Sequence, residues 1–291
     1  MEYFQQALQA DPGYALAHVG VAETYLVMQY YNVLPPAQAV ARCKQALARA
    51  LEIDPDLAEA HVALGVIKGM NEYQWEEAER EFRRAIELNP NYPTAYHWFS
   101  LLNLTPRLRF EESLATIRRA LELDPLSLIV HTHYGMGLMY AGDFAAALQQ
   151  LDRTLEMDPA FPDARLYHAQ TLWLSGQRQQ AIEEMERLQQ DVPRDLRVVA
   201  SLGEWYGRTG RADRGHECLE RLLQASTTQY LAPWWLGVVH LGLGETQKAV
   251  ECLERALQEN DGYVGLAKAF LRVSQYPMEP FQHILRQCNL A

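Results

Sequence analysis

The chain has 291 residues, 48% hydrophobic and 22% charged, the composition of a folded protein rather than a disordered one. Its formal net charge is −11 and it has no Lys/Arg-rich run, which argues against a surface built for phosphate backbones. No apolar stretch approaches the roughly 20 residues of a membrane-spanning helix, and Met1-Glu2-Tyr3-Phe4 lacks the charged and apolar segments of a secretory leader.

In chain order, a helix is expected over Glu2 to Ala10, ending at Asp11-Pro12. The same ending returns at Asp54-Pro55, Asn89-Pro90, Asp124-Pro125 and Asp158-Pro159. Pro193 keeps the register without its Asp, and Thr227 and Asp261 keep it without proline. Successive steps are 43, 35, 35, 34, 34, 34 and 34 residues. Such periods mean stacked helix pairs, each too small to bury its apolar face alone.

Within one period, Leu128 to Tyr140 has helical apolar spacing, Ala141-Gly142-Asp143 breaks it, and Phe144 to Met157 resumes it. The break recurs at Ser175-Gly176-Gln177, Thr209-Gly210-Arg211 and Leu243-Gly244-Glu245, where glycine suits a left-handed cap. Proline then stops the second helix and suits the first turn of the next. The predicted units are a partial repeat at 1–14, repeats at 15–57, 58–92, 93–127, 128–161, 162–195, 196–229 and 230–263, and capping helices over 264–291. Glu2 to Ala10 reads as the second helix of a pair whose first is missing, so the chain is expected to be a fragment of a longer polypeptide. The surplus of the 43-residue repeat falls around Val27 to Pro36 and predicts a lengthened first helix and turn, used for packing or for binding.

Small residues recur where paired helices approach: Gly65, Gly135, Ala169, Gly203 and Gly237 in first helices, and Ala78, Ala147, Ala181 and Ala249 in second helices. Four residues on stand Phe82, Leu151, Met185 and Leu253. With these residues the chain resembles the tetratricopeptide repeat, whose pattern has a small residue in helix A, Ala-x3-Phe in helix B and a terminal proline. The resemblance implies an all-α, right-handed superhelical solenoid (an α-α superhelix). Phrases such as Tyr31-Asn32-Val33-Leu34-Pro35-Pro36 and Asp54-Pro55-Asp56-Leu57-Ala58-Glu59-Ala60-His61 resemble the C-terminal repeat arrays of bacterial signalling proteins of the kinase or winged-helix type.

The chain offers little chemistry. His18, His61 and His131 share one repeat position, and neighbouring copies stand about 10 Å apart, too far to share a metal. His216-Glu217 lacks the His four residues on that a zinc-protease helix needs. Gly135-x-Gly137 and Gly242-x-Gly244 follow no strand, as a dinucleotide site would require. No catalytic residue, metal or cofactor is expected. Cys218 and Cys252 occupy equivalent positions in adjacent repeats, beyond disulfide reach; free thiols favour a reducing, cytoplasmic setting, unless a membrane span in a parent chain places the array outside.

In the resembled family the first helices line a concave groove. Its ligand-facing positions correspond here to His97, Leu101, Thr132, Met136, Met139, Tyr140, Leu166, Gln170, Trp173, Glu204, Arg208 and Trp234. The carboxylate clamp of the chaperone-tail binders is absent, because Val62, Val66, His97, Leu101, Thr132 and Met136 stand at its positions. The expected function is therefore a non-catalytic scaffold for a protein or peptide that is apolar and neutral to basic, bound in an apolar groove. The alternatives are a small-ligand sensor with a pocket walled by Met136, Tyr140 and Trp173, and RNA binding of the pentatricopeptide kind, which the charge disfavours.

Overall fold

The computed structural model describes residues 1–291 and contains helices and turns without a strand. Helix α1 (Glu2–Ala10) precedes seven helix pairs. These are α2 (Ala15–Tyr30) with α3 (Pro36–Ile53), α4 (Ala58–Val66) with α5 (Trp75–Leu88), and α6 (Pro93–Phe99) with α7 (Phe110–Leu123). Then come α8 (Leu128–Ala141) with α9 (Phe144–Met157), α10 (Pro162–Leu174) with α11 (Arg178–Asp191), α12 (Leu196–Arg208) with α13 (Ala212–Ala225), and α14 (Pro233–Gly242) with α15 (Thr246–Gln258). A 3-10 turn, Gly262–Leu266, leads into α16 (Ala267–Val273), and a second, Glu279–Phe281, into α17 (Gln282–Gln287). The pairs stack into a superhelix.

Local chemistry explains the joints. Asp11, Asp54, Asn89 and Asp158 each accept a hydrogen bond from the backbone N–H two residues on, closing a turn that carries the chain from one pair to the next. The histidine of the following helix clasps that turn. His18, His61 and His131 each place Nε2 within 3.0–3.2 Å of the carbonyl of Pro12, Pro55 and Pro125. Between paired helices, Gly142, Gly176, Gly210 and Gly244 all have positive φ, as their spacing predicts. In the three earlier pairs Asn32, Tyr73 and Leu108 take that conformation instead, with φ of 57°, 54° and 59°. Such strain persists where surrounding contacts over-determine it.

The two 35-residue steps have a visible cause. In each of those repeats the first helix ends in a π-helical segment, Ile67–Asn71 after α4 and Ser100–Leu104 after α6. A π segment takes up one extra residue without breaking the helix. The surplus of the first repeat lengthens α2 to 16 residues and adds the turn Tyr31 to Pro35.

The C-terminal region departs from a cap that merely covers the last pair. It folds back through the interior of the coil and meets the second repeat. Trp75 Nε1 donates to the Cys288 carbonyl at 2.6 Å, and Asn289 Nδ2 donates to the Tyr73 carbonyl at 3.0 Å. Asn71 Nδ2 and the Tyr73 hydroxyl reach the carbonyls of Asn260 and Asp261. The first repeat joins the seam as well: Tyr263 donates to the Tyr30 carbonyl at 2.7 Å, and the Ala232 N–H donates to Asn32 Oδ1 at 3.2 Å. One continuous apolar core therefore runs from Met70 and Trp75 to Leu290. Near its middle, α12 and α14 touch backbone to backbone: a Cβ on Gly242 would lie 2.3 Å from the Glu204 carbonyl oxygen, so only glycine fits.

Helix α1 buries no residue completely. Tyr3 is 84% exposed, while the Phe4 ring lies over Gly20 of α2. The four cysteines are free, and burial pushes the thiols of Cys43 and Cys288 up to about 12.

Candidate functional site

The first helices of the pairs face the interior of the coil, and the groove expected there is largely occupied by the chain itself. Trp234 meets Phe270 edge-on at 5.3 Å between ring centroids. Arg208 donates to the Ser274 carbonyl at 3.2 Å, and its guanidinium lies 4.9 Å from the centre of the Tyr276 ring. The Tyr276 hydroxyl donates to Glu204 at 2.9 Å, and Arg272 donates to the Tyr140 carbonyl at 3.0 Å. Trp173 is stacked on Trp205 at 4.9 Å and is only 5% exposed, so it is wedged between helices rather than presented on an open wall. Met139, Tyr140 and Leu166 are likewise buried, and Gln170 is half-buried, bonded to Ser201. These residues border a residual space of about 70 Å³, little more than room for water. Met136 lines one space and Tyr140 and Trp173 another, so the three do not wall a single pocket; α16 packs against α8.

The other predicted residues lie toward the first half of the coil. Thr132 is buried and bonds the Leu128 carbonyl of its own helix. His97 and His133 form a buried pair, His97 Nε2 to His133 Nδ1 at 2.6 Å. Burial holds both imidazoles neutral, pushing His133 down to about 3 with help from the Arg197 charge. Leu101 and Met136 face a much larger space.

That space is a cavity of about 490 Å³, the size class of small-molecule sites. Its walls come from α2 and the turn after it, from α4, α6, α8 and their π segments, and from Tyr167 of α10. Its roof is the seam segment Asp261 to Leu266. Most of the lining is apolar, including Leu26, Val66, Met70, Trp98, Leu101 and Met136. Five buried side-chain polar atoms in the chain have no hydrogen-bond partner, and three of them belong to lining residues: Gln29 Oε1, His133 Nε2 and Asp261 Oδ2. Leaving such atoms unpaired in a dry site costs about 1–3 kcal/mol each.

Sequence reasoning placed Leu101 and Met136 on the inner face but missed Gln29, His133, Asp261 and Tyr263 as neighbours of one space. The signals were present singly, in the Val27 to Pro36 surplus and in the break at Asp261-Gly262. That surplus both packs and lines the cavity. Tyr30 and Tyr31 lie under the Arg197 guanidinium, and Tyr30, Tyr31 and Asn32 wall the space. No group of three or more His, Cys, Asp or Glu side chains is placed to hold a metal ion.

Two seam carboxyls carry shifted acidities. Burial raises Glu204 to about 7 against the pull of Arg208 and Tyr276. Burial likewise raises Asp261 to about 7, opposed by the backbone N–H groups of Tyr263 and Trp234. A raised carboxyl binds its proton more tightly folded than unfolded, so its contribution is full below about 4.5 and is lost as pH rises through about 7. Glu204→Gln keeps an acceptor for Tyr276 and removes that titration. Between pH 5.5 and 8 the native protein should lose on the order of 2 kcal/mol more stability than the variant, read from denaturant midpoints at the two pH values.

The fold is thus a helix-pair superhelix closed by its own C-terminal segment. Two family models, each described as tetratricopeptide repeat, match residues 138–204 and 202–264. A comparison with curated proteins gives no match. Among solved structures, a tetratricopeptide repeat protein from Parabacteroides merdae aligns over 92% of this chain and 99% of its own, at 18% identity and a TM-score of 0.58. Human IFIT1, seen as a dimer with PPP-AAAA, aligns over 88% of this chain and 67% of its own, at 17% identity and a TM-score of 0.64. Pseudomonas aeruginosa pilF aligns over 80% and 96%, at 20% identity and a TM-score of 0.54. At these identities the likeness shows the fold. Residues 138–264 thus carry tetratricopeptide repeats by sequence, and the helix pairs before them share the same architecture. None of its helices is long and apolar enough to cross a membrane.

Proposed function

We propose that the chain is a non-catalytic binding module that encloses its ligand inside the coil, at the seam between the first repeats and the C-terminal segment. The observation that carries this reading is the cavity of about 490 Å³, with three unpartnered buried polar atoms on its lining residues. An apolar void would leave no such atoms, and a structural network would satisfy them. The wall spans both ends of the array, so occupancy would report on closure, which suits a sensor segment of a bacterial regulatory protein. A cytoplasmic setting accords with four free thiols.

A neutral apolar fluorophore, N-phenyl-1-naphthylamine, tests the reading. It should bind saturably with one molecule per chain. Val66→Trp places an indole into the space from a half-buried wall position and should weaken binding at least tenfold while the circular dichroism spectrum stays helical. Leu266→Trp does the same from the roof. Absence of saturable binding, or equal binding by both filled variants, would contradict an interior site.

A protein or peptide partner along the inner face is the second reading, favoured by the segment already there. Arg208, Glu204, Trp234 and the Tyr140 carbonyl hold α16, Ser274 and Tyr276 as a groove would hold a peptide. A partner on this route would have to displace residues 267–276. The human relative seen with PPP-AAAA raises a nucleic-acid ligand, but the cavity lining has no Lys or Arg to meet phosphate.

A further inference from the structure

The cavity also selects among ligands. Its lining contains two carboxyl residues, Glu23 and Asp261, and no lysine or arginine. The nearest buried cation, Arg197, is committed to Asp163 at 2.6 Å and to both oxygens of Asp195. An anion entering this space would shed its hydration and find no counter-charge, which excludes phosphates and carboxylates. The unpartnered atoms point the same way. Gln29 Oε1 is an acceptor with no donor, and the Asp261 carboxyl takes the Tyr263 N–H on Oδ1 and lies by the Trp234 N–H, while Oδ2 makes no hydrogen bond. Asp261 is 2% exposed, so its carboxyl is removed from bulk solvent. Tyr263 and the neighbouring Tyr73 spend their hydroxyls on the carbonyls of Tyr30 and Asp261. The wall has hydroxyl donors in Tyr30, Tyr31 and Tyr167 but no fixed cation, while its carboxyls and the Gln29 oxygen remain as spare acceptors.

Resting on the enclosed-site reading above, we propose that the cavity takes a single small molecule with an apolar body and a hydrogen-bond-donating head, uncharged or singly cationic, of the amine class, with the head against Asp261 and Gln29 and the body between Leu101, Met136 and Leu266. His133 Nε2 provides a third polar contact, as donor or acceptor according to the tautomer that its bond to His97 imposes. The apolar part accounts for affinity by burial, and the head selects the class because only a donor relieves the unpaired oxygens.

Three naphthalenes of nearly equal size separate the possibilities: 2-(1-naphthyl)ethylamine, 1-ethylnaphthalene and 1-naphthaleneacetate. Calorimetric or fluorescence titration of the whole chain should rank them amine, hydrocarbon, carboxylate, with about tenfold between successive members. Asp261→Asn keeps the acceptor for the Tyr263 N–H and should bring the amine to within about threefold of the hydrocarbon. Gln29→Met, which preserves shape, should lower the amine alone and serves if Asp261→Asn does not fold. Equal affinities, or tightest binding of the carboxylate, would overturn the ligand class and leave the enclosed site standing. Binding of none of the three would sink both.

Discussion

Arg197→Ala should destabilise the protein by about 3–5 kcal/mol, among the largest effects available to a single substitution. Arg197 is 6% exposed, and Asp163, its partner at 2.6 Å, is 7% exposed. Removing the guanidinium leaves the Asp163 charge buried and unpaired, which costs far more than the ion pair itself contributes. Asp195, half-buried at the start of α12, holds the other side of the guanidinium through Nε at 3.0 Å and Nη2 at 2.6 Å. The same group lies over Tyr30 and Tyr31, so the loss would also loosen the turn that lines the cavity. Asp163→Asn in the Arg197→Ala background should recover part of the loss, since the uncompensated charge is then gone. Urea midpoints of the single and double variants measure this. Additive losses would mean that the two residues do not form a buried pair.

Trp75→Ala should cost a similar amount, about 3–5 kcal/mol. Trp75 is 1% exposed, and its indole N–H is spent on the Cys288 carbonyl. The ring carries the seam: Gly265 of the roof and Tyr73 pack against it. Trp75→Phe keeps most of the apolar contact and loses the hydrogen bond, so it should cost about 1–2 kcal/mol. Loss of the seam has a second readout. In Trp75→Ala the region around residues 262–290 should become the first site of limited proteolysis, before the repeats themselves are cut. Unchanged proteolysis would mean that closure does not depend on this contact.

The repeat was legible because its signals are local and recur. Asx-Pro endings, glycines at the A–B turns and small residues at helix approaches each lie within a few residues of the structure they determine. The position of the histidines was legible too, though its reason, the clasp on the preceding proline carbonyl, needed coordinates. Closure of the coil was not. Trp75 and Cys288 are 213 residues apart and Asn71 and Asn260 are 189 apart, and such contacts leave no periodic trace. The inner-face list suffered for the same reason. Register assigns Trp173, Glu204 and Trp234 to the inner face, but it cannot say that α16 and Tyr276 pack on Trp234 and Glu204. The cavity is what remains where that segment stops, so its lining joins residues from the first repeat and the last with no shared motif.

The most direct test of an interior site is a crystal structure of the protein grown with N-phenyl-1-naphthylamine. One probe molecule should lie between Leu101, Met136 and Leu266, beneath the roof of residues 261–266, with α16 still seated on α8. A probe bound on the outer face, or in a groove vacated by the C-terminal segment while the interior stays empty, would contradict the account.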